Sequence, residues 1–199
     1  MKNVVIIAGH SASGKSTVLE DMVKNRGYEK LVTTTTRDPR PGEVNGVDYH
    51  FLSKEEFVDK KDKGFFLENV NIKNNFYGVG LNAFEKDFKG KKPVLILDPI
   101  GVVAATKKLK EVGWNVISVF IDESPETCID RVLSRESSIE EKTNRISDIK
   151  NAESGWGSYT DYTIRTKPLS SIEANSKFID DFNMSKMDIK VTKRKKLGM

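Results

Sequence analysis

The chain has 199 residues, of which 37% are apolar and 31% are charged, which suits one globular unit with a charged cleft. No apolar run is long enough for a membrane-spanning helix, and one cysteine with two histidines excludes an internal disulfide and a structural zinc site. Residues 190–199 contribute +5, more than the whole chain's net +4, so the basic charge comes from this tail and is weak evidence for a nucleic-acid surface. We expect a solvated tail; the alternative is a tail that contacts nucleic acid or another acidic surface. A single cysteine and an N-terminus without a signal-peptide pattern favour a cytoplasmic protein.

The first predicted elements are a buried strand over residues 4–8 and a helix over about 15–26, joined by a glycine-rich loop. The loop fits the pattern G-x-x-x-x-G-K-[ST] and predicts a P-loop, whose backbone N–H groups form a nest for phosphate. We expect Lys15 to reach the β- and γ-phosphates and the Ser16 hydroxyl to hold Mg²⁺. The predicted residues for the triphosphate are Gly9, Ser11, Ala12, Ser13, Gly14, Lys15, Ser16 and Thr17.

The next segment is polar and rich in turns. Residues 31–36 are β-rich but mostly threonine, which favours an edge strand beside a ligand. Two prolines and a glycine then interrupt regular structure between Arg37 and Gly42. We expect a short strand over 46–51, a helix capped by Ser53 and Glu56, a strand over 64–68, small strands and turns over 69–80, and a helix over 81–88. The piece from about 33 to 88 therefore reads as an insertion with its own small sheet.

The second half alternates strands and helices, which predicts an α/β fold with a parallel sheet. The expected order is a buried strand ending at Asp98, a helix over 101–112, a strand over 114–121 and a helix from Ser124 that holds Arg131 and Arg135. A second helical segment with Arg145, a strand over 161–164 and a helix over 170–182 complete the chain.

Three sets of side chains suit phosphate and base chemistry. Arg37 and Arg40 with Tyr49 and Tyr77 suit a second phosphate, because guanidinium groups grip phosphate oxygens in pairs; the alternative is a solvated basic loop with core tyrosines. Glu68 and Asp98 each end an apolar run, where a carboxylate accepts from the ring N–H and amine of guanine; the alternative is a strand-end residue facing water. The third set consists of cations that could stabilise the negative charge developing in phosphoryl transfer: Arg131, Arg135 and Arg145. The alternative is that they are solvated residues on helix faces. Of the three, we expect Arg131 to have a structural role.

Four segments together resemble guanylate kinases. They are the P-loop, the run T-T-R-x-P-R-x-G-E-x-x-G-x-D-Y-x-F over residues 35–51, F-L-E over 66–68 and N-F-Y-G over 75–78. The similarity covers roughly residues 3–182 and is strongest up to about 80. It implies one domain over 1–199 with a P-loop NTPase core (about 1–32, 89–122 and 160–185), a GMP-binding insert (about 33–88), a helical lid (about 123–159) and a basic tail (186–199).

The resemblance also implies roles for individual residues. Arg37, Arg40, Tyr49 and Tyr77 would bind the GMP phosphate, while Glu68, Asp98 and Thr33 stand where the family contacts guanine. Arg135 and Arg145 look like lid arginines, so the implied catalytic set is Lys15, Arg37, Arg135 and Arg145. Three positions depart from the family pattern: Val79 replaces Ser or Thr, Ile100 replaces Gln, and Thr166 replaces an Asn near the adenine.

The expected activity is transfer of the γ-phosphoryl group of ATP to GMP or dGMP, giving ADP and the diphosphate, with Mg²⁺. The partners are then small nucleotides, with no membrane, and the oligomeric state is left open. Val79 and Ile100 favour one alternative, a related kinase with another or broader nucleoside monophosphate acceptor. A non-catalytic binding module of the same fold is a second alternative, which the presence of Lys15 and Ser16 argues against.

Overall fold

The protein is described by a computed structural model that covers residues 2–152, 155–165 and 172–184. Strands and helices alternate along most of the chain. The strands are β1 (Lys2–Gly9), β2 (Tyr28–Lys30), β3 (Thr33–Thr35), β4 (Tyr49–Phe51), β5 (Phe66–Ile72), β6 (Asn75–Gly80), β7 (Lys92–Ile96), β8 (Trp114–Asp122) and β9 (Tyr162–Arg165). The helices are α1 (Lys15–Asn25), α2 (Lys54–Asp62), α3 (Pro99–Glu111), α4 (Pro125–Leu133), α5 (Ile139–Lys150) and α6 (Ile172–Met184), with short 3₁₀ helices at Leu81–Phe84 and Trp156–Tyr159.

The larger sheet is parallel, with the strand order β2-β7-β1-β8-β9. Strand β1 lies at its centre and is almost entirely apolar, as expected for a strand with both faces covered. Because successive side chains point to opposite faces, Ile6 packs into a cluster with α3, and Ile7 packs into a cluster with α1 and α6. The predicted α/β class, with a parallel sheet flanked by helices, is confirmed.

The smaller sheet is mixed and has the strand order β4-β3-β6-β5. Strands β3 and β4 run parallel, whereas β6 is antiparallel to both β3 and β5. The expectation of an edge strand at the threonines is wrong, because β3 is paired on both sides and its three residues are at most 7% exposed. Threonine is tolerated there because its branched side chain suits a pleated, buried surface.

Three further expectations need correction. Strand β2 was not expected, since it has only three residues. The helix expected over 81–88 is a 3₁₀ helix that ends at Phe84, because Asp87 accepts from the backbone N–H of Lys89 and Lys89 has a φ of +50°. Arg135 lies beyond the end of α4 instead of on it.

The helix starts follow capping chemistry. The predicted capping box of α2, with Ser53 and Glu56, is present. Helix α3 starts at Pro99, two residues before the predicted start, because the Asp98 side chain caps it. In the part of the chain that the structure covers, no helix is both long and apolar enough to cross a membrane. Thr166 and the predicted tail, 186–199, lie outside the described residues.

Candidate active site

The P-loop connects the end of β1 to the first turn of α1. A Cβ at Gly9 would lie 2.7 Å from the Ile121 carbonyl oxygen and 2.7 Å from the Ser13 hydroxyl, so only glycine fits this approach. Gly14 forms the N-cap of α1 with a φ of +96°, a left-handed conformation that glycine adopts without strain. The loop is therefore shaped by its two glycines and directs the N-terminus of α1 towards the cleft described below.

Lys15 is folded back onto the loop. Its ammonium group donates to the carbonyl oxygens of Gly9 at 2.9 Å and His10 at 2.6 Å. Burial lowers the pKa of Lys15 to about 8, and the nearby cations Arg135 and Arg145 act in the same direction. An anionic ligand would reverse this effect, because an opposite charge favours the protonated amine.

Arg131 supports the loop from α4. Its guanidinium donates to the carbonyl oxygen of Ala12 at 3.1 Å and forms an ion pair with Glu123 at 2.9 Å. Arg131 thus connects Ala12 of the P-loop to Glu123, which lies just before the start of α4. These contacts fit the structural role that we expected for Arg131 rather than a contact with the transferred group.

One cleft of about 390 Å³ joins the P-loop to the smaller sheet and to α5. Its volume falls in the range of small-molecule sites. Its lining includes every predicted loop residue from Ser11 to Thr17 except Ser13, which is buried, and it also includes Arg40, Tyr49, Arg135 and Arg145. Residues far apart in sequence are thus brought together around one space, with four cationic side chains, Lys15, Arg40, Arg135 and Arg145, facing it.

Glu43 organises the arginine loop. Its carboxylate accepts two hydrogen bonds from Arg37 Nη2, at 3.0 and 2.9 Å, and one from the backbone N–H of Arg40 at 2.7 Å. The Arg37 guanidinium carbon also lies 5.6 Å from the centre of the Tyr49 ring. Arg37 is therefore held by a carboxylate and an aromatic face. Glu43 and Tyr49 line the cleft, whereas Arg37 lies outside its lining.

The two predicted tyrosines lie side by side. The ring centres of Tyr49 and Tyr77 are 6.5 Å apart, in an edge-to-face arrangement. Burial raises the pKa of Tyr49, so its hydroxyl stays protonated and able to donate at neutral pH. Arg37 and the two tyrosines are thus neighbours, and Tyr49 lines the cleft together with Arg40, whereas Tyr77 lies outside its lining.

The segment that the sequence predicts as a lid contributes Arg135 and Arg145 to the lining of the cleft. Arg145 is mostly buried and forms an ion pair with Glu141, one turn earlier on α5, at 2.9 Å. Glu141 also forms an ion pair with Arg40 at 2.8 Å. Arg135 is exposed, in the connection between α4 and α5.

Glu68 and Asp98 form a separate acidic pair outside the lining of that cleft. Glu68 is 2% exposed, and its Oε2 atom has no hydrogen-bond partner among the described residues. A Cβ built on Gly101 would lie 3.0 Å from Asp98 Oδ2 and 3.5 Å from Glu68 Oε2, so the two oxygens meet at this glycine. Burial raises the pKa of Glu68 to about 8, and the charge of Asp98 adds to the rise.

Each carboxylate of this pair leaves an oxygen for a ligand. Asp98 Oδ1 accepts from the backbone N–H groups of Ile100 and Gly101, at 2.9 and 3.0 Å, as the cap of α3. Asp98 Oδ2 and Glu68 Oε2 remain as two neighbouring acceptors, which suit a ligand with two adjacent N–H donors. The capping role was not expected from the sequence.

Of the remaining predicted residues, Val79 lies near the acidic pair in register and Ile100 in sequence. Thr33 is buried on β3, and Val79 is fully buried in the apolar cluster that also contains Leu67 and Leu97. Val79 pairs in register with Glu68 across the β5–β6 ladder. Ile100 is 66% exposed in the first turn of α3.

A magnesium ion would find few protein ligands here. The described residues contain no cluster of three His, Cys, Asp or Glu side chains that could hold a metal. Ser16 is exposed and lines the cleft at the first turn of α1, and its hydroxyl is the kind of hard oxygen that Mg²⁺ prefers. The residues present thus fit an ion held by one hydroxyl, phosphate oxygens and water.

The guanylate kinase family model matches residues 1–175. The chain belongs to the guanylate kinase family. The guanylate kinase of Clostridium tetani (strain Massachusetts / E88) is 34% identical over 139 residues, which are 69% of this chain and 65% of that protein. The guanylate kinase of Campylobacter jejuni (strain RM1221) is 35% identical over 153 residues, 73% of each chain.

The similarity to guanylate kinases covers part of the length of the relatives and extends to the fold. The chain spans between 57 and 65% of the length of its clostridial relatives. The crystal structure of guanylate kinase from Anaplasma phagocytophilum matches with a TM-score of 0.68 and 24% identity, covering 92% of this chain and 84% of that one. At that identity, the structural likeness shows the shared fold.

The sequence did not indicate that two acidic residues, Glu43 and Glu141, belong to the site of this guanylate kinase family member. Glu43 lies within the run that carried the resemblance, and Glu141 precedes Arg145 by four residues on α5. The four-residue spacing was the available signal for a helical ion pair. The contacts of Glu43 with Arg37 and of Glu141 with Arg40 depend on the tertiary fold.

Proposed function

We propose that this protein is a guanylate kinase, which transfers the γ-phosphoryl group of ATP to GMP or dGMP and releases ADP and the diphosphate. The observation that carries the proposal is the shared cleft: a P-loop and the arginines and tyrosine of two other segments line one space. A triphosphate on the loop and a monophosphate at Arg40 and Tyr49 would then face each other. The acceptor phosphate is the nucleophile, so no covalent intermediate is required.

The proposed roles follow the position of each cation. Lys15 neutralises the β- and γ-phosphates of ATP, while Arg37, Arg40, Tyr49 and Tyr77 bind the acceptor phosphate. Arg135 and Arg145 stabilise the charge on the transferred group. A set of fixed positive charges in one cleft supports such a division, because alignment and charge neutralisation are the main contributions of protein to this reaction.

Magnesium is the proposed cofactor, with Ser16 as its protein ligand. When bound, the ion neutralises charge on the phosphate oxygens of ATP. We also propose that the backbone of the P-loop from Gly9 to Thr17 positions ATP, the phosphoryl donor. Ala12, in the middle of this loop, has a left-handed conformation with a φ of +61°.

Guanine recognition is proposed for Glu68 and Asp98, with Thr33 beside them. The support is the buried, unpartnered Oε2 of Glu68 next to Asp98, since a buried acceptor without a donor favours a ligand that supplies one. Adenine presents an acceptor at its ring nitrogen, where guanine presents a donor, and would leave an ionised Glu68 unsatisfied. The pair therefore favours GMP over AMP.

We also propose that the segment 33–88 is the acceptor-binding insert and 123–159 the lid of one domain. The cleft lies between them and the P-loop, so binding of both nucleotides would close these segments and exclude water. Residues 1–32, 89–122 and 160–185 would form the core. The basic tail from 186 to 199 and the cytoplasmic location stay predictions.

A coupled assay of ADP release tests the function, with GMP, dGMP, AMP, CMP, UMP and dTMP as acceptors. We expect turnover with GMP and dGMP, and at least about a hundredfold lower kcat/KM with AMP, because the buried Oε2 atom of Glu68 would lack the ring N–H donor that guanine supplies. No turnover with any acceptor would refute the kinase. Equal turnover with AMP would refute Glu68 and Asp98 as the guanine-binding residues.

One observation favours a second candidate, a kinase with a broader acceptor range. Val79 is fully buried in an apolar cluster beside Glu68, where the family pattern has a hydroxyl. One fewer hydrogen-bonding group at the base would reduce the preference for GMP over other nucleoside monophosphates by about 1 kcal/mol, or roughly fivefold. The same acceptor panel measures it, and Val79→Thr should then raise the preference for GMP.

A further inference from the structure

Helix α5 presents a row of alternating charges to the smaller sheet. Glu141, Arg145 and Asp148 are spaced by four and three residues, so they lie on one face of the helix. Glu141 forms an ion pair with Arg40, and Asp148 forms one with Lys73. Arg40 and Lys73 both belong to the proposed insert, so this face of α5 contacts the insert at two separate points.

The Lys73 contact comes from a rigid part of the insert. Lys73 and Asn74 join β5 to β6 in a two-residue turn, with φ values of +51° and +62°. Two positive φ values are typical of the tight hairpin turn that matches the twist of its strands. The Arg40–Glu141 contact is therefore part of an interface between α5 and the insert.

One oxygen atom of Glu141 carries the contact with the arginines. Oε1 lies 2.8 Å from Arg40 Nε and accepts from Arg145 Nε at 3.1 Å and Arg145 Nη2 at 2.9 Å. The carboxylate is one quarter exposed, and Arg145 is 12% exposed. A single anion thus bridges two guanidinium groups from different segments, inside the lining of the proposed phosphate cleft.

The surrounding charges explain why an anion is needed at this point. Burial lowers the pKa of Arg40, and the like charges of Arg37 and Arg145 lower it further, while Glu43 and Glu141 oppose this. Burial alone would raise the pKa of Glu141, but its contacts with Arg145 and Arg40 outweigh that effect and lower it. Glu141 is therefore ionised at neutral pH and relieves the repulsion between the two arginines.

We propose that Glu141 is a positioning residue that holds Arg40 and Arg145 together before the acceptor binds and that the acceptor phosphate displaces it from Arg40. The inference rests on the proposed function, in which Arg40 binds that phosphate. Glu141 then has two effects. It competes with the acceptor at Arg40, which raises the KM for GMP, and it orients Arg145 within its own helix, which raises kcat.

The substitution Glu141→Gln separates the two effects, because the amide keeps the shape of the side chain and loses its charge. We expect the KM for GMP to fall about threefold to tenfold, since a partly exposed charge pair contributes on that scale. We expect kcat to fall by at least about threefold, because Arg145 loses its charged partner. If Glu141 had only a structural role, its substitution would not lower KM and kcat together.

Glu140→Gln is the matched control, since Glu140 is exposed and lies in the same first turn of α5. Steady-state kinetics of the full chain with GMP at saturating ATP, and melting temperatures, are compared for the unmodified protein and both variants. The control should leave KM, kcat and the melting temperature unchanged, and both variants should melt well above the assay temperature. An unchanged or raised KM in Glu141→Gln, or an unchanged kcat, would overturn the proposal.

A second probe keeps this result distinct from a failure of the proposed function. If the unmodified protein does not turn over GMP, the function is refuted, and inorganic phosphate then tests Glu141 on its own. With the P-loop filled by saturating ADP, phosphate should bind Glu141→Gln about threefold to tenfold more tightly than the unmodified protein or the Glu140→Gln control. Equal phosphate affinity would overturn the inference.

Discussion

Glu68 gives the proposed guanine site a dependence on pH. Its carboxyl group is 2% exposed, and burial with the nearby charge of Asp98 raises its pKa to about 8. At pH 7 only about one molecule in ten then carries an ionised Glu68 when GMP is absent. Only an ionised Glu68 accepts from a guanine N–H group without its own proton in the way, so binding of GMP near neutral pH should release a proton from Glu68.

The size of the effect follows from that pKa. The apparent dissociation constant is the intrinsic constant divided by the ionised fraction, so each pH unit below about 8 weakens binding by about 1.4 kcal/mol. Between about pH 8.5 and about pH 6.5, GMP should bind about 25-fold more weakly. The phosphate of GMP has a second pKa near 6, so its own protonation adds less than about twofold over this range.

Calorimetric titration of the ATP-free protein with GMP measures this linkage, in buffers with different heats of ionisation. We expect release of about 0.9 proton per GMP at about pH 7. Glu68→Gln should remove the pH dependence and weaken binding at about pH 8.5 by about 1.5–3 kcal/mol, because a charge-assisted pair of hydrogen bonds is lost. Glu55→Gln, at an exposed position on α2, is the control and should behave like the unmodified protein. A pH-independent dissociation constant without proton release would refute the assignment.

Three other substitutions test the phosphate side of the cleft. Lys15→Ala should lower kcat by at least about a hundredfold, because a charge at the β- and γ-phosphates is lost, while circular dichroism and the melting temperature stay near those of the unmodified protein. Arg37→Ala should weaken GMP binding by about 1.5–3 kcal/mol with little change in ATP affinity, and calorimetry would contradict this if ATP were affected equally. Gly9→Ala would place a methyl group 2.7 Å from the Ile121 carbonyl oxygen, so thermal unfolding should show a loss of about 1–3 kcal/mol together with weak ATP binding; normal stability and ATP affinity would show that the loop relaxes.

The parallel sheet and the P-loop were predictable because their signals are local. A buried apolar run, a fixed spacing of two glycines and a lysine, and a following helix identify β1 and the start of α1 without any tertiary information. The caps were predictable for the same reason, as Ser53 and Glu56 show. The Asp98-Pro99 pair is a local signal of the same kind, because Asp is a favoured cap and Pro a favoured first helical residue.

The rest depends on contacts between distant segments. Strand β3 is interior because β4 and β6 pair with it on either side, which no count of threonines indicates. Glu141 lies beside Arg40 because the fold brings α5 next to the loop that follows β3, across about a hundred residues of sequence. The end of the helix expected at residues 81–88 was set by an Asp87 side-chain contact that competes with helical hydrogen bonding.

The central claim is that one cleft holds the phosphates of both nucleotides, and a dinucleotide that joins adenosine to guanosine through its phosphate chain tests it most directly. If the P-loop and the arginines of the insert and lid face a shared space, this compound should bind one per chain and at least about a hundredfold more tightly than ATP or GMP alone. It should also compete with both nucleotides, and Lys15→Ala and Arg37→Ala should each weaken it. Binding no tighter than that of ATP alone, with no competition against GMP, would contradict the account.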